Sequence, residues 1–284
     1  MKIFAFRFDI DHEYGLKKGV PNILDLAKKY DFKFSFYINM GKVFDLKEFI
    51  KMKKNTTSPD IRKISIRQKL GNFRLLKAML INPNVGLSNI NMLKRIKNEG
   101  HELGLHGGMN HMIWHRGLDN LSYDELEKDF LASYHPFKRL FGNPDGFVSP
   151  GFKWNKNVLD LLDKFKIKYC SDIYYKEPFY PEYIGKKYKH MQIPLNVIGS
   201  PFTIPIIEWL YANGKSEDEI VRIVKDEILK NNVAILYGHP IFEGFKTNIL
   251  NEIFEFVKSE GYKVMTLNEI ANHYKNRIKY HRLK

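Results

Sequence analysis

Four of the ten histidines in this 284-residue chain fall between His101 and His115, in the run His-Glu-Leu-Gly-Leu-His-Gly-Gly-Met-Asn-His-Met-Ile-Trp-His. The first six residues alternate like a strand, with Leu103 and Leu105 on one face, and Gly107-Gly108 should end that strand and open a loop. A neutral imidazole nitrogen is a good ligand for a divalent metal, and a glycine-freed loop lets two rings converge on one ion. His106 and His111 are the candidate pair, and they need a carboxylate to complete a site. His101 and His115 read more readily as hydrogen-bonded structural histidines.

The carboxylates come from the start of the chain. Lys2 to Phe8 is a short apolar strand, and Asp9-Ile10-Asp11 stands at its carboxyl end. Two acids one residue apart can share one mouth, one binding a metal and the other remaining free as a base. Two histidines and one carboxylate form a common ligand set for a hydrolytic metal, with positions left open for water. Strand ends elsewhere add Asp172, after a strand from Lys168, and His239, after Val233–Tyr237 and Gly238. A histidine that holds no metal is what a leaving group needs.

The elements that must carry these residues alternate. Pro21 opens a helix with apolar positions at Ile23, Leu24, Leu26 and Ala27, and Lys33–Ile38 reads as the next strand. Residues 46–54 read as helix, and a helix over 88–98 takes Ser88 as its N-cap. Ser122 with Glu125, and Ser216 with Glu219, have capping-box spacing for helices running to about Phe141 and Lys230. Strands over 146–149, 191–197 and 262–265 and helices over 155–165, 246–260 and from Leu267 complete the series. Residues 174–190, with five tyrosines and two prolines, read as a long loop. Seven or eight strand–helix units without a linker predict α/β architecture, a single distorted (β/α)7–8 barrel spanning 1–284, with reactive groups at the carboxyl ends of its strands.

Residues 55–87 interrupt this rhythm with a basic helical insert. From Asp60 to Leu80, Arg62, Lys63, Arg67, Lys69, Arg74 and Lys77 are interleaved with apolar residues, and Gly71 weakens any single long helix. Such a segment fits an anionic membrane interface, or else a helix packed on the barrel with a solvated basic face. The whole chain carries 46 basic against 32 acidic residues, a net charge of +14. That balance points to an anionic partner, although lysine-rich chains also occur in hot environments without one. No apolar run is long enough to span a bilayer, and Lys2, Arg7 and Asp9 make the first residues too charged for a signal peptide. The lone Cys170 allows no internal disulfide and suits a reducing compartment, so the expectation is a cytoplasmic protein. No zinc-finger or RNP motif is present, and nucleic acid is not expected as a partner.

With these residues in place, the chain resembles the polysaccharide deacetylases with a NodB-homology domain (the carbohydrate esterase 4 type). Within them it is most similar to the branch of deformylases acting on undecaprenyl-phosphate-linked 4-deoxy-4-formamido-arabinose. The resemblance covers nearly the whole chain. It rests on Arg7-Phe8-Asp9-Ile10-Asp11 followed by Gly19-Val20-Pro21, on Ser35-Phe36 with Gly41, and on Gly100-His101-Glu102-Leu103-Gly104-Leu105-His106. Ser171-Asp172, Gln192-Ile193-Pro194, and His239 with Glu243-Gly244 support it. The resemblance implies Asp9 as general base, His239 as general acid, and Asp11, His106 and His111 as ligands of a divalent metal, zinc by default, with cobalt, nickel, iron or manganese tolerated.

This sequence departs from that pattern in two places. The second histidine of the family's motif normally stands four residues after the first, but position 110 is asparagine. Either the loop is one residue longer and His111 is the ligand, the reading preferred here, or Asn110 ligates weakly. The family's Arg-x-Pro arginine, which would orient the base, is missing at Val148-Ser149-Pro150, leaving Lys153 as a candidate replacement. Lysine cannot reproduce a bidentate guanidinium grip. Pro150, Asp172 and Glu243 complete the candidate substrate-binding or orienting residues. The expected activity is removal of a formyl or acetyl group from an amino sugar carried on a polyprenyl phosphate, by attack of a metal-activated water. The enzyme would then sit on the inner face of the cell membrane through residues 60–80. The alternatives are a deacetylase of a soluble or polymeric N-acetylated sugar, and a lapsed barrel that only binds glycan.

Overall fold

A computed structural model of the chain describes residues 1–45, 64–200 and 203–283. The strands in chain order are β1 (Ile3–Ile10), β2 (Ser35–Ile38), β3 (Glu102–His106), β4 (Gly146–Val148), β5 (Tyr169–Cys170), β6 (Tyr180–Tyr183), β7 (Lys186–Lys187), β8 (Met191–Gln192), β9 (Val233–Gly238), β10 (Lys263–Val264) and β11 (Tyr280–Arg282). The helices are α1 (Val20–Tyr30), α2 (Ile66–Ile81), α3 (Ile90–Asn98), α4 (Tyr123–Phe141), α5 (Lys156–Lys164), α6 (Ile206–Ala212), α7 (Glu217–Leu229), α8 (Thr247–Ser259) and α9 (Leu267–Tyr274).

The main sheet runs β10-β1-β2-β3-β4-β5-β8, with β9 on β1, and every pairing in it is parallel. The strands curl towards a ring whose seam lies between the segment after β8 and β9. There the ladder shrinks to one bridge, Val197 to Leu236. Asn196 reinforces it with its side chain, donating to Val233 O at 2.6 Å and accepting from Ile235 N at 2.9 Å. Leaving out β10, the ring has seven strands among the described residues, the lower end of the seven-to-eight expected, and its distortion is this thin seam.

β1 is buried along its whole length, and its alternation is what delivers the site. Phe4, Phe6, Phe8 and Ile10 pack into the layer between sheet and helices, while Ile3 and Ala5 belong to the cluster inside the ring. Successive side chains on a strand point to opposite faces, so Arg7 and Asp9 continue the inner row. Gly19 makes a close contact near the site: a side chain there would place its Cβ 1.8 Å from Pro240 O, beside His239.

The helix boundaries show where local rules sufficed. The capping boxes at Ser122/Glu125 and Ser216/Glu219 are both formed, and a third at Thr266/Glu269 opens α9. Ser88 is not the N-cap of α3; it lies in a tight turn over Leu87–Asn89, and the helix starts one residue after Asn89. The stretch 174–190 is not all loop, because β6, β7 and β11 form a small separate sheet. Periodicity could not show that pairing, since β11 lies about a hundred residues away. The helix expected over 46–54 and residues 55–63 of the insert lie outside the described residues. Within the insert the helix runs from Ile66 to Ile81, and Gly71 breaks it with φ 73° and ψ 165°, a positive-φ conformation that favours glycine. Among the described residues, no helix is long and apolar enough to cross a membrane.

Candidate metal centre and active site

Asp11 follows the carboxyl end of β1, and His106 is the last residue of β3. Their strands flank β2 on either side, so both open at the same end of the ring. Gly107 takes φ +69°, which turns the chain out of β3 and brings His111 back over His106. The loop is pinned from two sides. Asp129 on α4 accepts Trp114 Nε1 at 2.7 Å and Asn110 N at 3.1 Å. Lys42 N donates to Met109 O at 3.0 Å, and His111 N donates to Lys42 O at 3.3 Å.

The result is a compact triangle of donor atoms. Asp11 Oδ1 lies 3.0 Å from His106 Nε2 and 3.3 Å from His111 Nε2, and the two nitrogens are 3.2 Å apart. Ligands at about 2.0–2.1 Å from a tetrahedral zinc stand roughly 3.3 Å from one another, so the spacing suits one ion. Asp11 Oδ1 is buried and accepts no properly directed hydrogen bond despite its two close neighbours. Lone pairs that converge in this way are stabilised by a cation. His106 Nδ1 lies 3.1 Å from Val148 O, a contact that fixes the ring proton on Nδ1 and leaves Nε2 free to ligate. Burial opposes ionisation of Asp11, yet His111 and His106 outweigh it and hold its carboxyl well below the usual range.

Asn110 is occupied elsewhere. Its side chain donates to Asp45 Oδ2 at 2.7 Å and accepts from Ile113 N at 3.3 Å. Among the described residues, Asp11, His106 and His111 are the group whose donor atoms lie close enough together to hold one metal ion. His101 sits at the opposite end of β3, where its Nδ1 accepts from Phe34 N.

Asp9 is gripped by Arg7, a residue to which the sequence reading gave no role. Arg7 Nε donates to Asp9 Oδ1 at 2.7 Å and Nη2 to Oδ2 at 2.5 Å, while Nη1 donates to Ser171 O. The guanidinium is wholly buried, with the rings of Phe152, Tyr237 and Tyr37 at 5.1, 5.6 and 5.8 Å. Burial disfavours its charge, but Asp9 more than compensates and raises its pKa. Lys153 is therefore not the replacement for the arginine missing near Val148. It is exposed beyond Pro150, and the place beside Asp9 is filled from β1. A signal was present: Arg7 is the one basic residue of β1, two positions from Asp9 and on the same face of an otherwise apolar strand.

Asp172 is buried behind this pair, where Oδ1 accepts Ser149 N at 2.7 Å. Burial pushes its pKa up to about 7 against the pull of Arg7. His239 follows β9, the other neighbour of β1, and faces the triangle, with Nε2 3.7 Å from Asp11 Oδ2. Glu243 Oε2 accepts the backbone N–H of His239 at 2.6 Å and so shapes the turn that presents the ring. Burial, with Glu208 nearby, raises the Glu243 pKa to about 7. Glu208 on α6 and Lys69 on α2 form a buried ion pair at 2.5 Å beside His239, and neither stood out in the sequence. Pro150 packs over Gly107, where an added Cβ would meet its ring at 2.7 Å.

The pattern shared by polysaccharide deacetylases matches residues 2–170, a span that holds β1, β3 and the whole donor triangle. The chain belongs to the polysaccharide deacetylase family. It is a hydrolase of the amide-cleaving deacetylase and deformylase class. Two relatives named "Probable 4-deoxy-4-formamido-L-arabinose-phosphoundecaprenol deformylase ArnD" are similar along nearly their full length. The one from Wigglesworthia glossinidia brevipalpis is 24% identical over 262 residues, covering 90% of this chain and 88% of its own. The one from Shewanella sediminis is 24% identical over 281 residues, covering 95% and 86%. A solved structure designated a polysaccharide deacetylase, from Mycobacterium smegmatis, superposes with a TM-score of 0.65 at 15% identity, covering 99% of this chain and 93% of that one. At that identity the likeness concerns the fold, and it agrees with the seven-stranded ring.

Proposed function

We propose that this protein is a divalent-metal amidohydrolase that removes a formyl or acetyl group from an amino sugar carried on a polyprenyl phosphate. The observation that carries the reading is the convergence of Asp11, His106 and His111, with Asp9 held by Arg7 inside the ring and His239 facing the triangle. The formyl group and the lipid carrier are taken from the names of the two deformylase relatives. Asp11, His106 and His111 would hold the ion, and their nitrogen–oxygen set suits zinc, with cobalt, nickel, iron and manganese tolerated. Such an ion supplies Lewis acidity, polarising the amide carbonyl and making water more acidic. Asp9 takes the proton of the attacking water; each of its oxygens keeps a lone pair beyond the one Arg7 uses. The Arg7 grip fixes the carboxylate so that no reorientation is needed when the proton moves. His239 Nε2 gives a proton to the departing nitrogen.

Purified full-length protein loaded with zinc should release formate from a formamido-sugar polyprenyl phosphate, or acetate from its acetamido counterpart, and a chelator should stop the release. Neither product appearing with any of the five metals would end this reading.

The second half of α2 favours the lipid-linked substrate. Leu76, Met79, Leu80 and Ile81 are all exposed there, and positions three and four apart share a helix face. Leu80 is about 14 Å along the helix from Gly71, and Lys69, just before that break, reaches the site. We read this edge as resting on an anionic cytoplasmic leaflet, to which a net charge of +14 would be drawn. Each fully buried aliphatic side chain is worth roughly 1.5–3 kcal/mol. Leu80→Glu with Ile81→Glu should then weaken co-sedimentation with anionic vesicles by about tenfold or more, and a double variant that binds as well as the parent would remove the membrane from the proposal.

A further inference from the structure

His239 leaves one question that the metal centre does not answer, namely what holds its ring. Nδ1 is buried and has no hydrogen-bond partner. Apart from Asp11, which faces Nε2, two carboxylates border the residue among the described residues, and Glu243 Oε2 bonds its backbone N–H rather than its ring. The remaining one is Glu208, whose Oε2 lies 3.7 Å from His239 Nδ1. That is an ion-pair distance, longer than a closed hydrogen bond, and catalytic contacts of this kind tighten when substrate is bound. The same oxygen is met at 2.5 Å by Lys69 Nζ, with side chains only 4% and 10% exposed.

We propose that the Lys69–Glu208 pair is a positioning pair for His239, fixing its proton-bearing Nδ1 so that Nε2 faces the departing amine. This rests on the reading of His239 as the general acid. Glu208 arrives on α6, and Lys69 comes from the segment inserted between β2 and β3, so that segment contributes to the centre as well as to the surface. The logic is that of a triad, in which a buried carboxylate sets the tautomer and orientation of an imidazole. When the C–N bond breaks, its electron pair goes to nitrogen, which takes the Nε2 proton. The neutral ring keeps its Nδ1 proton towards Glu208, and solvent water restores the lost proton. Lys69 offsets the charge of Glu208 and holds the same oxygen that lies beside Nδ1.

The test compares two probes on the zinc-loaded full chain: a formamido sugar, whose amine must be protonated to leave, and p-nitrophenyl acetate, whose phenolate leaves unaided. Glu208→Gln should cut kcat for the amide by roughly 10²–10³-fold with KM moving less than about threefold, within the range of acid–base contributions. The ratio of amide to ester turnover should fall about a hundredfold. Lys69→Met should lower that ratio by about tenfold. Equal loss on both probes, or no loss, overturns the pair's role. An independent readout is the ¹⁵N spectrum of His239 in metal-free protein, assigned with His239→Asn. The proton should sit on Nδ1 in the parent and redistribute in Glu208→Gln, and a ring with its proton on Nε2 in both overturns the proposal. If the parent itself hydrolyses neither probe with any metal, the failure lies with the hydrolase reading, and the positioning role falls with it.

Discussion

Asp11→Ala protein is expected to fold but to bind no stoichiometric divalent ion, and its amide hydrolysis should fall to background. Asp11 Oδ1 touches both histidine nitrogens, at 3.0 and 3.3 Å, and no other carboxylate belongs to the cluster among the described residues. Without it, two neutral imidazoles remain, and they bind a divalent ion far more weakly than a set that also carries negative charge. Lewis-acid stabilisation is worth several kcal/mol, so a loss of 10³-fold or more in kcat/KM follows at about 1.4 kcal/mol per factor of ten. His106→Ala should behave the same way. Asn110→Ala should keep its metal, because Asn110 is bound to Asp45 and the loop backbone rather than to the triangle. Metal analysis of the three proteins, with formate release measured alongside, checks all of this. Asp11→Ala retaining one equivalent of metal and a normal rate would remove the basis for the mechanism.

How much of this was legible beforehand differs from residue to residue. The strand–helix alternation follows from local periodicity and caps, which is why the ring, the parallel pairing and two capping boxes could be read from the chain alone. His106 and His111 could be picked out as candidates because two histidines flank Gly107-Gly108 at a strand end, whereas the choice of Asp11 over Asp9 followed from the family resemblance and not from the residues themselves. The choice between Asn110 and His111 is not written in the local sequence, since the loop's path depends on Asp129, nineteen residues from Asn110 and fifteen from Trp114. The role of Arg7 is not legible from the family pattern, which has its arginine near Val148. The guanidinium that holds Asp9 stands two residues away on β1, and sequence position does not report which strand supplies it. Glu208 and Lys69 were hidden for a different reason: they are 139 residues apart, and each alone looks like an ordinary surface charge.

The Arg7 grip gives the other large expected effect. Arg7→Met should destabilise the protein by roughly 3–5 kcal/mol, the usual result of leaving one partner of a buried ion pair uncompensated. Asp9 is only 2% exposed and would lose both of its hydrogen bonds to the guanidinium. Arg7→Met combined with Asp9→Leu removes the stranded charge as well, and should recover most of that stability while remaining inactive. Arg7→Lys separates charge from geometry. An ammonium can offset Asp9 but cannot make two parallel bonds to its carboxylate while a third donor holds Ser171 O, so the base would be less firmly aimed. Metal content should stay near one equivalent while kcat falls by about a hundredfold, as expected when a reacting group is misplaced by about an ångström. Denaturant unfolding, metal analysis and turnover of the set decide the matter. If Arg7→Lys turns over normally, the bidentate grip has no part in catalysis; if the double variant is no more stable than Arg7→Met, the instability comes from lost packing among Phe152, Tyr237 and Tyr37 and not from the stranded charge.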